Sequence, residues 1–417
     1  MHLHGHSGCK NAYPRGFILQ PLRRKGGSMS VLGIIAEYDP FHNGHLRHLR
    51  TAVETILPSA VLVALSGPFK QRGEPALLSP FLRAECALAA GADAVFSLPV
   101  CWTVRDAEHY ALGAVSLLAS LGATHLAFGA ENADLSLLQR TADLLENPSS
   151  TLNESLHAHL REGFGYPAAL SAAVNRCFPE SGSVLEHPNN ILAVCYLRAL
   201  RRLSLSLVPV PVSRSGAYHS DRVDPEAPSA SALRSAFRRG AWGNALEALP
   251  VPSRKAVQSV FLSGYIPDSA CLDALLLSRL RSMTPTEAAA LPDCSEGLEN
   301  ALLKAAARAN SREKLISLLT GRRYSSSRIS RICTSALLHI TAKQLSSLPL
   351  PASALLLGIR KSPSLNGIWK KGPVQISDMT NWCSSACPAD LEAWRVWSQI
   401  CGLPDSWFLT RKVVTVR

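Results

Sequence analysis

The chain has 417 residues, 47% of them hydrophobic, which is enough to bury a sizeable core and points to two or three domains. A formal net charge of +12 favours a polyanionic partner. Pro, Ser or charge interrupts every apolar run before the roughly eighteen residues that span a bilayer, so no membrane association is expected.

Eleven cysteines, among them Cys86, Cys195 and Cys333 inside apolar patterns, read as reduced thiols. Cys383 and Cys387 have no matching second pair, so neither a disulfide framework nor a zinc knuckle is expected and a cytoplasmic location is favoured. Residues 1–28 lack periodicity and any apolar signal core; they read as a disordered extension, with Met29 as an alternative first residue.

Val31 to Ala36 reads as a buried parallel strand, and a helix period begins at Gly44 with Leu46, Leu49, Val53 and Ile56 on one face. The stretch Gly33–His45 is therefore a strand-loop-helix junction, whose unpaired N–H groups favour an anion. His42 and His45 flank Asn43-Gly44, so two imidazoles can project from the first turn and stabilise a phosphate that gains charge during attack. No third ligand stands at a spacing that would make them a zinc site, and no metal site is expected in the chain.

A second strand, Ala60 to Leu65, leads into the loop Ser66–Ala76, where Lys70, Arg72 and Glu74 either face a ligand or form a solvated pair. Residues 80–90 are helical, Ala94 to Leu98 is a third strand, and a helix opened by Asp106 runs to about Ser120. Thr124 to Phe128 gives a fourth strand, ending at Gly129. This alternation predicts an α/β fold, a doubly wound parallel sheet. Leu135 to Leu203 is mainly helical with a turn at His187–Asn190, and a last strand spans Leu205 to Val210. Ser229 to Arg234 starts a helix, whose hydroxyls, Ser231 among them, either cap it or grip phosphates together with the N–H groups and Arg234 one turn later.

Beyond about residue 240 the strand rhythm gives way to amphipathic helical segments. There Arg322, Arg323, Arg328 and Arg331 surround Tyr324, a composition suited to a phosphate backbone and an unstacked base, or else to a solvated helix face. Trp382, Trp394, Trp397 and Trp407 read as packing in a small helical cap.

The His42–His45 stretch resembles the His-x-Gly-His motif of the HIGH nucleotidyltransferase superfamily. Together with Ser66–Ala76, Gly91-Ala92-Asp93, Leu98-Pro99, Gly129–Asn132, Pro188–Leu192, Gly216–His219, Ser229–Arg234 and Arg322–Arg331, in order, it resembles the tRNA(Met) cytidine acetate ligase (TmcAL) family. The resemblance implies a Rossmann-like nucleotidyltransferase domain over residues 29–240, followed by a mainly α-helical, tRNA-binding domain over residues 241–417. It implies an enzyme that makes acetyl-adenylate from acetate and ATP, with Mg²⁺ on the nucleotide. The acetyl group then passes to the wobble cytidine of elongator tRNA(Met).

Carried over, the ATP site comprises Ile35, Ala36, Glu37, Tyr38, Asp39, Pro40, Phe41, His42, Asn43, Gly44, His45, Leu46, Arg47, His48, Gly129, Asn189 and Arg214, with Ser231 and Arg234 at the second phosphate motif. His42 and His45 are then the catalytic pair and Arg322, Arg323, Tyr324, Arg328 and Arg331 the RNA-binding cluster. No protein partner is implied. Asp39 and Pro68 stand where the family has Asn, and the Gly216–His219 element is one residue short, which bears on geometry beside ATP. The rival readings are a nucleotidyltransferase making a small adenylylated cofactor and a catalytically silent RNA-binding protein.

Overall fold

Five parallel strands form the centre of the molecule: β1 (Val31–Ala36), β2 (Ala60–Ser66), β3 (Ala94–Leu98), β4 (His125–Ala130) and β5 (Val208–Ser213). The computed structural model describes residues 30–214, 223–226, 228–295, 297–361, 365, 375–383 and 386–416. The expectations for residues 1–28 and for Gly216–His219 lie outside the described residues.

The order is β5-β4-β1-β2-β3, so the winding reverses between β1 and β4. In such a sheet ligands sit beyond the carboxyl ends of the strands at the reversal. Strand alternation builds both faces. Leu32, Ile34, Val61, Val63 and Leu65 pack into one core with α1 (Asn43–Ile56) and α2 (Pro80–Ala89), while Val31, Ala60, Leu62 and Ala64 join the helices Ala107–Ser120 and Pro188–Arg202. The doubly wound reading holds.

Some boundaries differ from the sequence reading. β5 runs Val208–Ser213 rather than Leu205 to Val210, which brings Arg214 directly off its carboxyl end. The expected turn at His187–Asn190 is instead the first turn of a helix begun by Pro188 at N1. The segment beyond residue 240 is mainly helical, yet it also supplies β6 (Ser353–Arg360), antiparallel to β3, with β7 (Gln375–Ser377) and β8 (Val414–Val416) along its other edge. An apolar run such as Ala354–Leu357 carries no local sign of its partner, which lies more than two hundred residues earlier.

The tryptophans expected to pack around a helical cap reach the core of the sheet. Trp394 is 1% exposed and sits 5.6 Å from the Phe81 ring of α2, and the Trp397 indole donates a 2.8 Å hydrogen bond to Ala76 O at the end of the second loop. A third core joins the helices between Leu272 and Leu345 to the helix Pro388–Ile400. Among the described residues no helix is long and apolar enough to cross a membrane.

Candidate active site

The start of α1 is held by its own histidines. His42 is the N-cap; its Nδ1 accepts the His45 N–H at 3.3 Å, and the His45 Nδ1 accepts the His42 N–H at 3.3 Å. The rings stack with centroids 3.6 Å apart. A Cβ at Gly44 would stand 3.0 Å from the His42 ring, so glycine allows this stacked pair. Because both Nδ1 atoms accept, each neutral ring carries its proton on Nε2. Burial, then the charges of Arg214 and Arg234, pushes His42 down from 6.5 to about 3; burial, the His42 ring and Arg214 hold His45 well below the ordinary value. Near neutral pH the site thus offers two uncharged N–H donors.

The residues before them are packed into a charge network. Tyr38, at φ +50, sets its ring edge-on to Phe41 and His45, and a cis bond joins Asp39 to Pro40. Asp39 is 1% exposed, and its carboxylate accepts the N–H groups of Leu77 at 2.9 Å and Leu78 at 3.0 Å. Lys70 Nζ lies 3.4 Å from Asp39 and 2.9 Å from Glu74, and Arg234 reaches Glu74 at 3.4 Å and the Asp39 carbonyl at 2.8 Å. Burial would raise the Asp39 pKa, but Lys70, Arg234, Arg83 and the Leu77 N–H outweigh it and hold the carboxyl below its ordinary value. Lys70 chiefly, with Arg234, holds Glu74 at about 2. The departure to Asp39 is therefore compensated by cations on three other segments. Pro68, the second departure, contributes a carbonyl that accepts the Ala76 N–H at 2.9 Å.

Other residues of the stretch serve as anchors. Glu37 Oε1 accepts the Gln71 N–H at 2.8 Å, Asn43 Nδ2 donates to Glu247 O at 3.0 Å, and Arg47 donates to Glu226 O at 2.8 Å. Ile35 and Leu46 pack against the two main cores. Asn43 and Arg47 thereby fix α1 to later segments.

Across the reversal, Arg214 Nη1 donates to Asn189 Oδ1 at 2.9 Å, while Glu131 accepts from Asn189 Nδ2 at 2.5 Å and from the Asn190 N–H at 3.0 Å. A Cβ at Gly129 would meet Arg214 Cδ at 3.0 Å and His48 Cδ2 at 3.8 Å, so the missing side chain makes room for Arg214. His48 Nε2 is buried without a partner, and burial with the Arg214 charge lowers its ring to about 4. Ser229 Oγ caps its helix at the Ala232 N–H, leaving Ser231 exposed with its hydroxyl 3.1 Å from Ser229 Oγ. The carboxyl ends of β1, β4 and β5 and two helix starts thus bring two neutral imidazoles and two arginines together.

The HIGH Nucleotidyl Transferase family model matches residues 29–381. The tRNA(Met) cytidine acetate ligase of Thermoanaerobacter sp. (strain X514) is 36% identical over 357 residues, covering 84% of this chain and 88% of that one. That of Acetivibrio thermocellus is 33% identical over 383 residues, covering 87% and 92%. This chain belongs to the tRNA(Met) cytidine acetate ligase family. In three dimensions it is similar to Thermotoga maritima TmcAL, with a TM-score of 0.87 at 27% identity for the apo form and 0.83 at 28% for the form bound with alpha-thio ATP; both comparisons cover 93% of this chain and 100% of the other.

In this family member the arginine cluster divides. Arg322 and Arg323 are exposed; the Arg322 guanidinium lies 4.0 Å over the Phe164 ring, and the Arg322 carbonyl accepts the Gly165 N–H at 3.1 Å. Arg328 sits 5.0 Å from the Tyr324 ring centre and donates to Asp293 O at 2.7 Å. Arg331, its side chain 12% exposed, is 3.8 Å from the Asp293 carboxylate. Sequence reasoning did not find Phe164, because nothing local ties it to Arg322. It gave no role to Glu131, within the quoted Gly129–Asn132 stretch, or to Arg83, which hold the expected site residues Asn189 and Glu37 in place.

Proposed function

We propose that this protein is an ATP-dependent ligase that joins acetate to AMP and passes the acetyl group to the exocyclic amine of the wobble cytidine in elongator tRNA(Met). The observation that carries this is the pair of neutral imidazoles at the start of α1, flanked by Arg214 and Arg234 at the reversal of the sheet. Uncharged Nε2–H donors fixed by the cap suit phosphoryl oxygens whose charge grows in the transition state.

An acetate oxygen attacks the α-phosphorus and pyrophosphate leaves; His42 and His45 donate to the phosphoryl oxygens, and Arg234, with the exposed Ser231, receives the departing phosphates. The cytidine amine then attacks the acetyl carbon, AMP leaves and the nitrogen loses its proton. Mg²⁺, if carried on the triphosphate, would supply countercharge there. Among the described residues no group of three or more His, Cys, Asp or Glu side chains is placed to hold a metal, so phosphate oxygens would supply most of the ligands, and the ion would offset phosphate charge.

ATP chemistry is assigned to residues 29–240 and RNA holding to residues 241–417, two regions that share one sheet through β6. Arg322, Arg323, Tyr324 and Arg328 form the proposed RNA face with Phe164, and Arg331 braces it through Asp293. A small-molecule nucleotidyltransferase would have no use for the exposed Arg322 and Arg323. The site of action is the cytoplasm, where tRNA and reduced cysteines coincide, and no protein partner is invoked. Incubation with ATP, labelled acetate and total tRNA tests the reading: label in one acetylated cytidine is expected, and label absent from RNA would refute it.

A further inference from the structure

Arg83 lies in the first turns of α2 and is 0% exposed. A guanidinium so deeply buried is costly unless its donors are met. Nη1 donates to Glu37 O at 2.7 Å, Nη2 to Gly67 O at 2.5 Å and Nε to Leu78 O at 3.0 Å. Glu37 is the first residue after β1 and Gly67 the first after β2. These neighbouring strands are in register up to Ala36 and Leu65, and beyond that point their loops diverge to the catalytic histidines and to the Lys70–Glu74 pair. Where the ladder ends, this rigid fork bridges the two loop backbones directly, beside the side-chain links from Glu37 to the Gln71 N–H and from Asp39 to Lys70. Among the described residues no carboxylate lies within ion-pair distance of it; Asp39, whose charge acts on it most strongly, is already occupied by Lys70 and Arg234. The fork is thus satisfied by backbone oxygens of the loops themselves.

We propose that Arg83 is a positioning residue for adenylation, a planar clamp that fixes the distance between the loop carrying His42 and His45 and the loop carrying Lys70 and Glu74. The proposal rests on the ATP-site reading above. Lysine keeps the charge but not the fork, because an ammonium donates from one point and cannot span three carbonyls with fixed angles. A displacement of an ångström at the reacting atoms can cost about 10²-fold in rate.

The test is acetate-dependent ATP–pyrophosphate exchange by Arg83→Lys, Arg83→Ala and His45→Ala, with melting curves for each. Arg83→Lys is expected to stay folded at the assay temperature and to lose at least about tenfold in kcat, with the KM for ATP within about threefold of the parent. Methylguanidinium added to Arg83→Ala is expected to restore rate, and methylammonium to leave it unchanged. Parent-like exchange by Arg83→Lys beside an inactive His45→Ala overturns the role of Arg83 alone. A rate loss that tracks only the unfolded fraction, or methylguanidinium that raises the melting temperature without raising the rate, likewise reduces Arg83 to a stability element. Parent-like exchange by His45→Ala overturns the site reading itself.

Discussion

His42 and His45 each accept the other's backbone N–H through Nδ1, at 3.3 Å in both directions. In the proposed site, the helix cap and the pair that would meet the phosphate are therefore one object. The bonds that satisfy two orphan donors of α1 also decide which nitrogen of each ring keeps its proton, so the tautomer needed by a phosphate is set before any nucleotide arrives.

His45→Ala removes one Nε2–H donor and half of this cap. Adenylate formation is expected to fall by about 10²–10³-fold, the usual cost of one transition-state donor. His42→Asn separates the two roles, since Asn is a good N-cap and cannot reproduce the ring; its melting temperature is expected to stay near the parent's while exchange is lost. Full exchange by either variant would contradict the assignment.

The buried rings also make stability depend on pH. Folded His42 takes up its proton near pH 3 and His48 near 4, against 6.5 for a free imidazole. Between those values the unfolded chain binds more protons, so this stability is fully present above about 6.5 and declines as the pH falls. Glu74 acts in a lower window: held at about 2 against 4.5, its contribution is present above 4.5 and lost as the pH falls through about 2. The melting temperature is expected to drop between about pH 7.5 and pH 5, and to drop less in His42→Asn. An unchanged parent melting temperature across that range would refute the buried, neutral rings.

β1 to β4 were legible because each is a short apolar run ended by Gly, Pro or Asp, and the histidines were legible because they follow such a run at a helix start. What escaped shares one physical feature: its partner lies far along the chain. β6 pairs with β3, Phe164 carries Arg322, and Trp397 reaches Ala76, none with a local trace. Arg83 was hidden differently. A charged residue in a helix that also carries Glu85 reads as a solvent position, and only the carbonyls of Glu37 and Gly67 reveal that it points inward.

Ser231 and Arg234 are both assigned to the leaving phosphates, but their surroundings differ. Ser231 is exposed and touches Ser229, whereas Arg234 also bonds to the Asp39 carbonyl and Glu74. Losing a neutral donor costs about 0.5–1.5 kcal/mol and losing a charged one about 1.5–3 kcal/mol. Ser231→Ala is expected to weaken ATP binding by about tenfold at most, and Arg234→Ala by more than that together with a lower melting temperature. Titration of both variants with ATP checks this, and equal affinities would contradict it.

The division within the arginine cluster yields the sharpest contrast. Arg322 and Arg323 are exposed, with the Arg322 guanidinium over the Phe164 ring, so replacing both with Gln is expected to leave the fold and tRNA-independent adenylate formation intact. Transfer to tRNA is expected to fall, and the log–log salt dependence of tRNA binding to flatten by about 0.7–0.9 for each phosphate no longer neutralised. Arg331→Gln is expected to do the reverse. It breaks the pairing with Asp293 from a side chain that is 12% exposed, so the melting temperature drops while the salt slope is kept. Phe164→Ala removes the surface under Arg322 and is expected to weaken tRNA binding without altering ATP affinity. Filter binding over a range of salt distinguishes these outcomes. If the Arg322→Gln, Arg323→Gln double variant holds tRNA like the parent at every salt concentration, this face does not bind RNA.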